Sequence, residues 1–168
     1  MGVSASKRVK KNLHTSPEFN SACSSAYAHC LSLSQHAFPG VKPYQLFSAA
    51  ENLHGTLTHS LSLVSKWVPR PPDRIQVDRA LKTILSSRAA REEEIILDEV
   101  EFKEFAAEVF AEAVVSGATG QVLKRVPLGA AGIAGVGMVV RPGKEVVVAA
   151  IGAYALGVAT SIYLSLDG

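Results

Sequence analysis

Apolar residues recur three and four positions apart through most of the first 112 residues, the period of helices with one buried face. Ser16 suits an N-cap, Pro17 the first helical position and Glu18 the positive end of the helix dipole. Phe19, Cys23, Ala26, Tyr27 and Cys30 then share a face, and the helix is expected to end near Phe38-Pro39-Gly40. A second helix starts at Pro43 and carries Leu46, Ala49, Ala50 and Leu53 toward His54-Gly55. Residues 57–68 form a further apolar stretch around Trp67, broken by Pro69, Pro71 and Pro72. Asp73 caps the next helix, whose inner face is Val77, Leu81, Ile84 and Leu85. Residues 86–94 read as a polar loop, and a helix from about Val100 turns Phe102, Phe105, Ala106, Val109 and Phe110 inward.

The pattern changes at residue 126. Residues 126–140 are uncharged and contain Gly129, Gly132, Gly135 and Gly137. Arg141-Pro142-Gly143-Lys144-Glu145 is a polar turn, and residues 146–166 are again uncharged. About twenty such residues are long enough to cross a bilayer core as a helix, whereas fifteen reach only ~22 Å and suit an interfacial or re-entrant arm. Ala149, Ala153, Gly157 and Ser161 recur every fourth residue and make a smooth ridge for close helix packing, against another copy or against the glycine-rich arm. The other reading of this segment is a helical hairpin buried in a water-soluble core. In the membrane reading, Arg125, Arg141 and Lys144 precede the span, which keeps the body cytosolic and puts Asp167-Gly168 on the far side.

Charge is nearly balanced, with 17 Lys and Arg against 15 Asp and Glu, so the bulk gives no reason to invoke nucleic acid. Its distribution is uneven. Lys7, Arg8, Lys10 and Lys11 lie in an N-terminal arm without acids, and residues 92–112 hold most of the carboxylates. The chain opens Met1-Gly2-Val3-Ser4-Ala5-Ser6-Lys7, which fits the myristoylation pattern with Gly2 as acceptor. One acyl chain anchors weakly, and each basic residue near an anionic leaflet adds about 1 kcal/mol, so the four cations are the second membrane signal. Cys23 and Cys30 are two helical turns apart, too far for a disulfide, and read as reduced thiols.

Two segments carry a resemblance. Residues 41–53, with Val41, Gln45, Leu46 and the helix after them, resemble the exit half of an EF-hand. Residues 97–105 look like a second copy, with Val100, Glu104 and Phe105 in the same roles. Over roughly residues 16–112 the chain is therefore similar to a degenerate, calmodulin-like EF-hand pair, set in what resembles a small N-myristoylated, plant-type membrane-associated protein. The resemblance implies loops joined by a short β-bridge around Val41 and Val100. It also implies loop oxygens at positions 1, 3, 5 and 12 and glycine at position 6. The first loop would run from Ser34 to Gln45, with His36 and Phe38 at ligand positions and an amide at the last. The second would run from Glu93 to Glu104, with Ile95 and Leu97 at ligand positions and Asp98 at the glycine position. Only Glu93 and Glu104 remain as weak calcium ligands, so calcium is a secondary expectation, with no other metal or cofactor.

No Walker A, GxSxG, HExxH or kinase motif occurs. His14, His29, His36, His54 and His59 are scattered without partners at ligand spacing, and no catalytic residues are nominated. The expected fold is mainly α. Residues 1–15 form a lipidated flexible arm, 16–112 the EF-hand-like module and 113–125 a linker or helix extension. Residues 126–168 form a glycine-rich hydrophobic tail, either a helical hairpin or a transmembrane segment. The expected function is a non-enzymatic adaptor or scaffold at the cytosolic face of a membrane containing anionic lipids. It binds a protein partner whose identity the sequence does not specify. The alternatives are a weakly calcium-responsive signalling protein and a small membrane homo-oligomer assembled through the tail.

Overall fold

The protein is described by a computed structural model covering residues 2–88, 94–140 and 144–167. Among these residues the chain is mainly helical, with seven α-helices and no strand. It divides into two units, one up to Val115 and one over Ser116–Asp167.

In the first unit, α1 (Gly2–Thr15) is the largest departure from expectation. The arm expected to be flexible is a helix, and the reason is its spacing: Ala5, Val9 and Leu13, four apart, are all buried. Its cations lie on the remaining faces. Ser16 separates it from α2 (Pro17–Leu33), and its hydroxyl accepts from Phe19 N at 3.2 Å, as the cap motif predicts. Asn20 Nδ2 donates to His14 O across the corner at 2.9 Å. α2 stops at Leu33, before the expected Phe38-Pro39-Gly40. Gln35 and His36 take positive φ, 51° and 56°, and unwind the chain there.

α3 (Pro43–Ser60) begins at the predicted proline but runs through His54-Gly55. Nothing lies within 4 Å of a side chain at Gly55, so this glycine is exposed helix rather than a stop. α4 (Ser62–Trp67) follows after Leu61, held by His54 Nε2 donating to Val68 O at 2.8 Å. Asp73 caps α5 (Arg74–Ser86): Gln76 N donates to Asp73 Oδ1 (2.8 Å), and Asp73 N to Gln76 Oε1 (3.1 Å). The core collects Phe19, Cys23, Leu46, Leu53, Leu57 and Val64 with Phe102, Phe105 and Phe110 of α6 (Glu99–Val140). Tyr27, Phe102 and Phe105 pack in sequence, with ring centroids 5.7 and 6.2 Å apart.

The loops before α3 and α6 meet in one antiparallel bridge, Val41 to Leu97, with N–O distances of 2.9 and 2.8 Å. The sequence pointed to Val100 instead. Val100 is unavailable because Asp98 caps α6, accepting from Glu101 N at 2.8 Å, so the helix starts at Glu99 and leaves Val100 exposed. Gly40 makes the bridge possible. A Cβ there would collide with Leu97 O and sit 2.7 Å from Ile96 Cγ2.

In the second unit, the end of α6 is followed by α7 (Lys144–Leu164) and a 3-10 turn, Ser165–Asp167. α6 contains Pro127, which removes one backbone donor from its ladder. The ring of Tyr154 in α7 lies against Gly129 in α6, where a Cβ would run into it. Its hydroxyl donates to Arg125 O at 3.4 Å.

Candidate functional site

Three places carry functional interest: the paired loops, the electrostatic belt around α6, and the apolar surface of α7.

The loops close in the same way. In each, the residue four after the bridge residue turns back onto the backbone N–H one after it. Lys42 N donates to Gln45 Oε1 at 3.1 Å, and Asp98 N donates to Glu101 Oε2 at 3.2 Å. The bridge register thus makes Glu101, not Glu104, the counterpart of Gln45. Neither counterpart fits calcium. Gln45 is buried and donates its amide to Cys30 O at 2.9 Å. Glu101 is held by Arg88, whose Nε donates to Oε1 at 2.6 Å and whose Nη2 donates to Oε2. The same Nη2 donates to Ile96 O at 2.9 Å. The guanidinium thus sits between the carboxylate and the carbonyl that a hard cation needs, and the Glu101 carboxylate in turn raises its pKa. Among the described residues, no group of three or more His, Cys, Asp or Glu side chains is arranged to hold a metal. Of the two nominated calcium ligands, Glu93 lies outside the described residues. Glu104 is inside α6, 3.1 Å from Lys10 Nζ and 3.1 Å from His14 Nε2.

The acidic run is largely consumed within the fold. Lys10 pairs with Glu108 (3.0 Å) as well as Glu104, Arg79 with Glu112, Lys103 with Glu99 (3.0 Å), and Lys42 with Glu94 (2.6 Å). Ser24 also donates to Glu99 (2.8 Å). The basic start and acidic middle, separate in the sequence, meet through Lys10. Burial alone would lower its ammonium pKa, but the Glu108 and Glu104 carboxylates outweigh that and raise it. Of the four nominated membrane cations, Lys7 and Lys11 are exposed, Arg8 is half-buried and Lys10 is committed to these pairs. Gly2 is the first residue of α1.

Between α2 and α3 lies a cleft of about 230 Å³, lined by Ala26, His29, Cys30, Leu33, Tyr44 and Ala49 among others. Leu33 and Tyr44 at its rim are 64 % and 70 % exposed. The volume falls below the roughly 300–1,000 Å³ of small-molecule pockets and suits an inserted side chain. Sequence patterning missed the cleft because Tyr44 follows directly on the helix-starting Pro43 and reads there as an ordinary first-turn residue.

The α7 surface is the most unusual feature. Residues Glu145–Leu164 have a mean hydropathy of 1.9 across a span-length window, yet only 6 % of that window is buried. Val146, Val148, Leu156 and Leu164 are 59–71 % exposed. The ridge residues Ala149, Ala153, Gly157 and Ser161 are all exposed, with nothing within 4 Å of a side chain at Gly157. Tyr154, one position along from the ridge, makes the contact with α6 instead.

No protein-family model, no curated protein and no solved structure matches this chain.

Proposed function

We propose that this protein is a non-enzymatic helical adaptor held at the cytosolic face of a membrane, presenting an EF-hand-like module to a protein partner. The observation that carries the reading is α7: a helix of span length, uncharged from Val146 onward, of whose apolar window only 6 % is buried. A soluble core helix of that composition is enclosed on most sides, and this one is not. The acyl-acceptor pattern at Gly2 and the exposed Lys7 and Lys11 supply a second, weaker attachment.

The module reads as a scaffold rather than a sensor. Its two loops are already closed, one by an amide and one by a guanidinium, so no ion is needed to hold them. The cleft between α2 and α3 is the partner-facing feature, taking an apolar side chain between Leu33 and Tyr44. The test is fractionation of cells expressing the full chain, the Gly2→Ala variant, a deletion of residues 146–166, and both changes together. The single changes should weaken membrane recovery and the double change abolish it. A double variant that still sediments with membranes removes the reading.

A further inference from the structure

From the contacts of Tyr154, and resting on the membrane reading above, we infer that the tail crosses the bilayer twice, as one antiparallel hairpin, so that residues 116 and 167 lie on the same side. The single-span reading of the sequence put residues 167–168 across the membrane. The hairpin returns them.

Three observations converge. First, Tyr154 in α7 lies on Gly129 of α6 and donates to Arg125 O (3.4 Å). Arg125 also borders a cleft of about 300 Å³ with Tyr154, Gly157, Val158, Ser161 and Ile162. Residue 125 is therefore level with residues 154–162. Because the two helices connect at residues 140–144, they run antiparallel and share their depth. If α7 enters the hydrocarbon, the 126–140 arm enters with it.

Second, α7 is open along most of its length. Residues 145–161 include no buried side chain, and past Ile162, the one buried residue of the helix among those described, Leu164 is again 59 % exposed. The run without a buried side chain, residues 146–161, is close in length to residues 126–140 on the other arm. At 1.5 Å per residue the two are ~24 and ~22 Å long. Third, the charges bracket both arms. Lys124 and Arg125 stand at one end and Arg141, Lys144 and Glu145 at the other, with none between. Basic residues at the ends are the type that lets spans shorter than a ~30 Å core reach both interfaces. Arg125 is exposed beside Ser161 and reaches the lipid phosphates of one leaflet. The paired helices also satisfy backbone polarity, and the one donor lost at Pro127 falls next to this interfacial end.

The test uses microsomes from expressing cells, sealed with the cytosolic face outward and containing the full chain. One version carries an epitope after Gly168, and another carries Gly143→Cys, with the unsubstituted chain giving the background from Cys23 and Cys30. The hairpin predicts that added protease removes the epitope without detergent. It also predicts that an impermeant maleimide labels residue 143 only after detergent opens the vesicles. An epitope that is protected while residue 143 is labelled from outside means a single span, and overturns the hairpin with the membrane reading intact. Labelling of 143 and loss of the epitope without detergent means neither arm crosses, and overturns it as well. If that protein is also stripped by alkaline carbonate, the membrane reading falls with it.

Discussion

Cys23 shows how an individual side chain records the fold around it. Its thiol is fully enclosed in the core of the first unit, and that burial, only partly offset by Lys103, pushes its pKa up from 9.0 to about 12. Cys30, also free, shifts the same way. The linkage has a definite sign. Below about pH 9 both folded and unfolded chains hold the Cys23 proton, and stability does not depend on it. Between about 9 and 12 only the unfolded chain releases it, so stability falls as pH rises. Urea midpoints measured across that window should drop more steeply for the wild type than for Cys23→Ala, by up to about 1.4 kcal/mol per pH unit. Equal slopes would mean that the thiol is not enclosed. Arg88 is the other telling residue. A single guanidinium, held by both oxygens of Glu101 and by Ile96 O, takes the oxygens that a loop cation would use.

Among the elements, α1 changes the picture most. In the sequence its basic residues and acyl-acceptor pattern point to a flexible arm, and the spacing by four of Ala5, Val9 and Leu13 is the signal that this leaves out. The structure buries those three and pairs Lys10 with Glu104 and Glu108. Leu13→Ala should therefore lower the stability of the folded module by roughly 2–5 kcal/mol, as for other enclosed leucines. A urea transition unchanged by the substitution would return α1 to the status of an arm. The element starts were the most legible part of the sequence. Ser16-Pro17, Pro43 and Asp73 each announce a cap or first turn through their own side chain, and each helix begins there. Ends were less so: the unwinding at Gln35 and His36 has no glycine to mark it, and α3 runs past a glycine that nothing requires. The loop register was missed by three residues. Glu101 and Glu104 both follow a plausible bridge residue, and only the capping by Asp98 decides between them. The pairing of Lys10 with α6 and the clasp of Arg88 on Glu101 join residues 98 and 13 positions apart, contacts that periodicity does not encode.

At the scale of the whole molecule, a helical module whose acidic run is largely paired within the fold is joined to a helical hairpin whose apolar surface is left open. The proposed function assigns the first to water and the second to lipid. Sequence length and hydropathy were enough to nominate the tail for lipid. The antiparallel contact at Tyr154 came only from the structure. Quenching by brominated lipids tests the lipid assignment most directly. The full chain carrying Leu156→Trp is reconstituted in phosphatidylcholine–phosphatidylserine vesicles, and the quenching it adds over the unsubstituted chain, which retains Trp67, is recorded against bromine depth. The account predicts blue-shifted emission with strong added quenching from bromines deep in the acyl chains. Added emission that no lipid bromine quenches, whether from a residue in water or from one enclosed by protein, would contradict it.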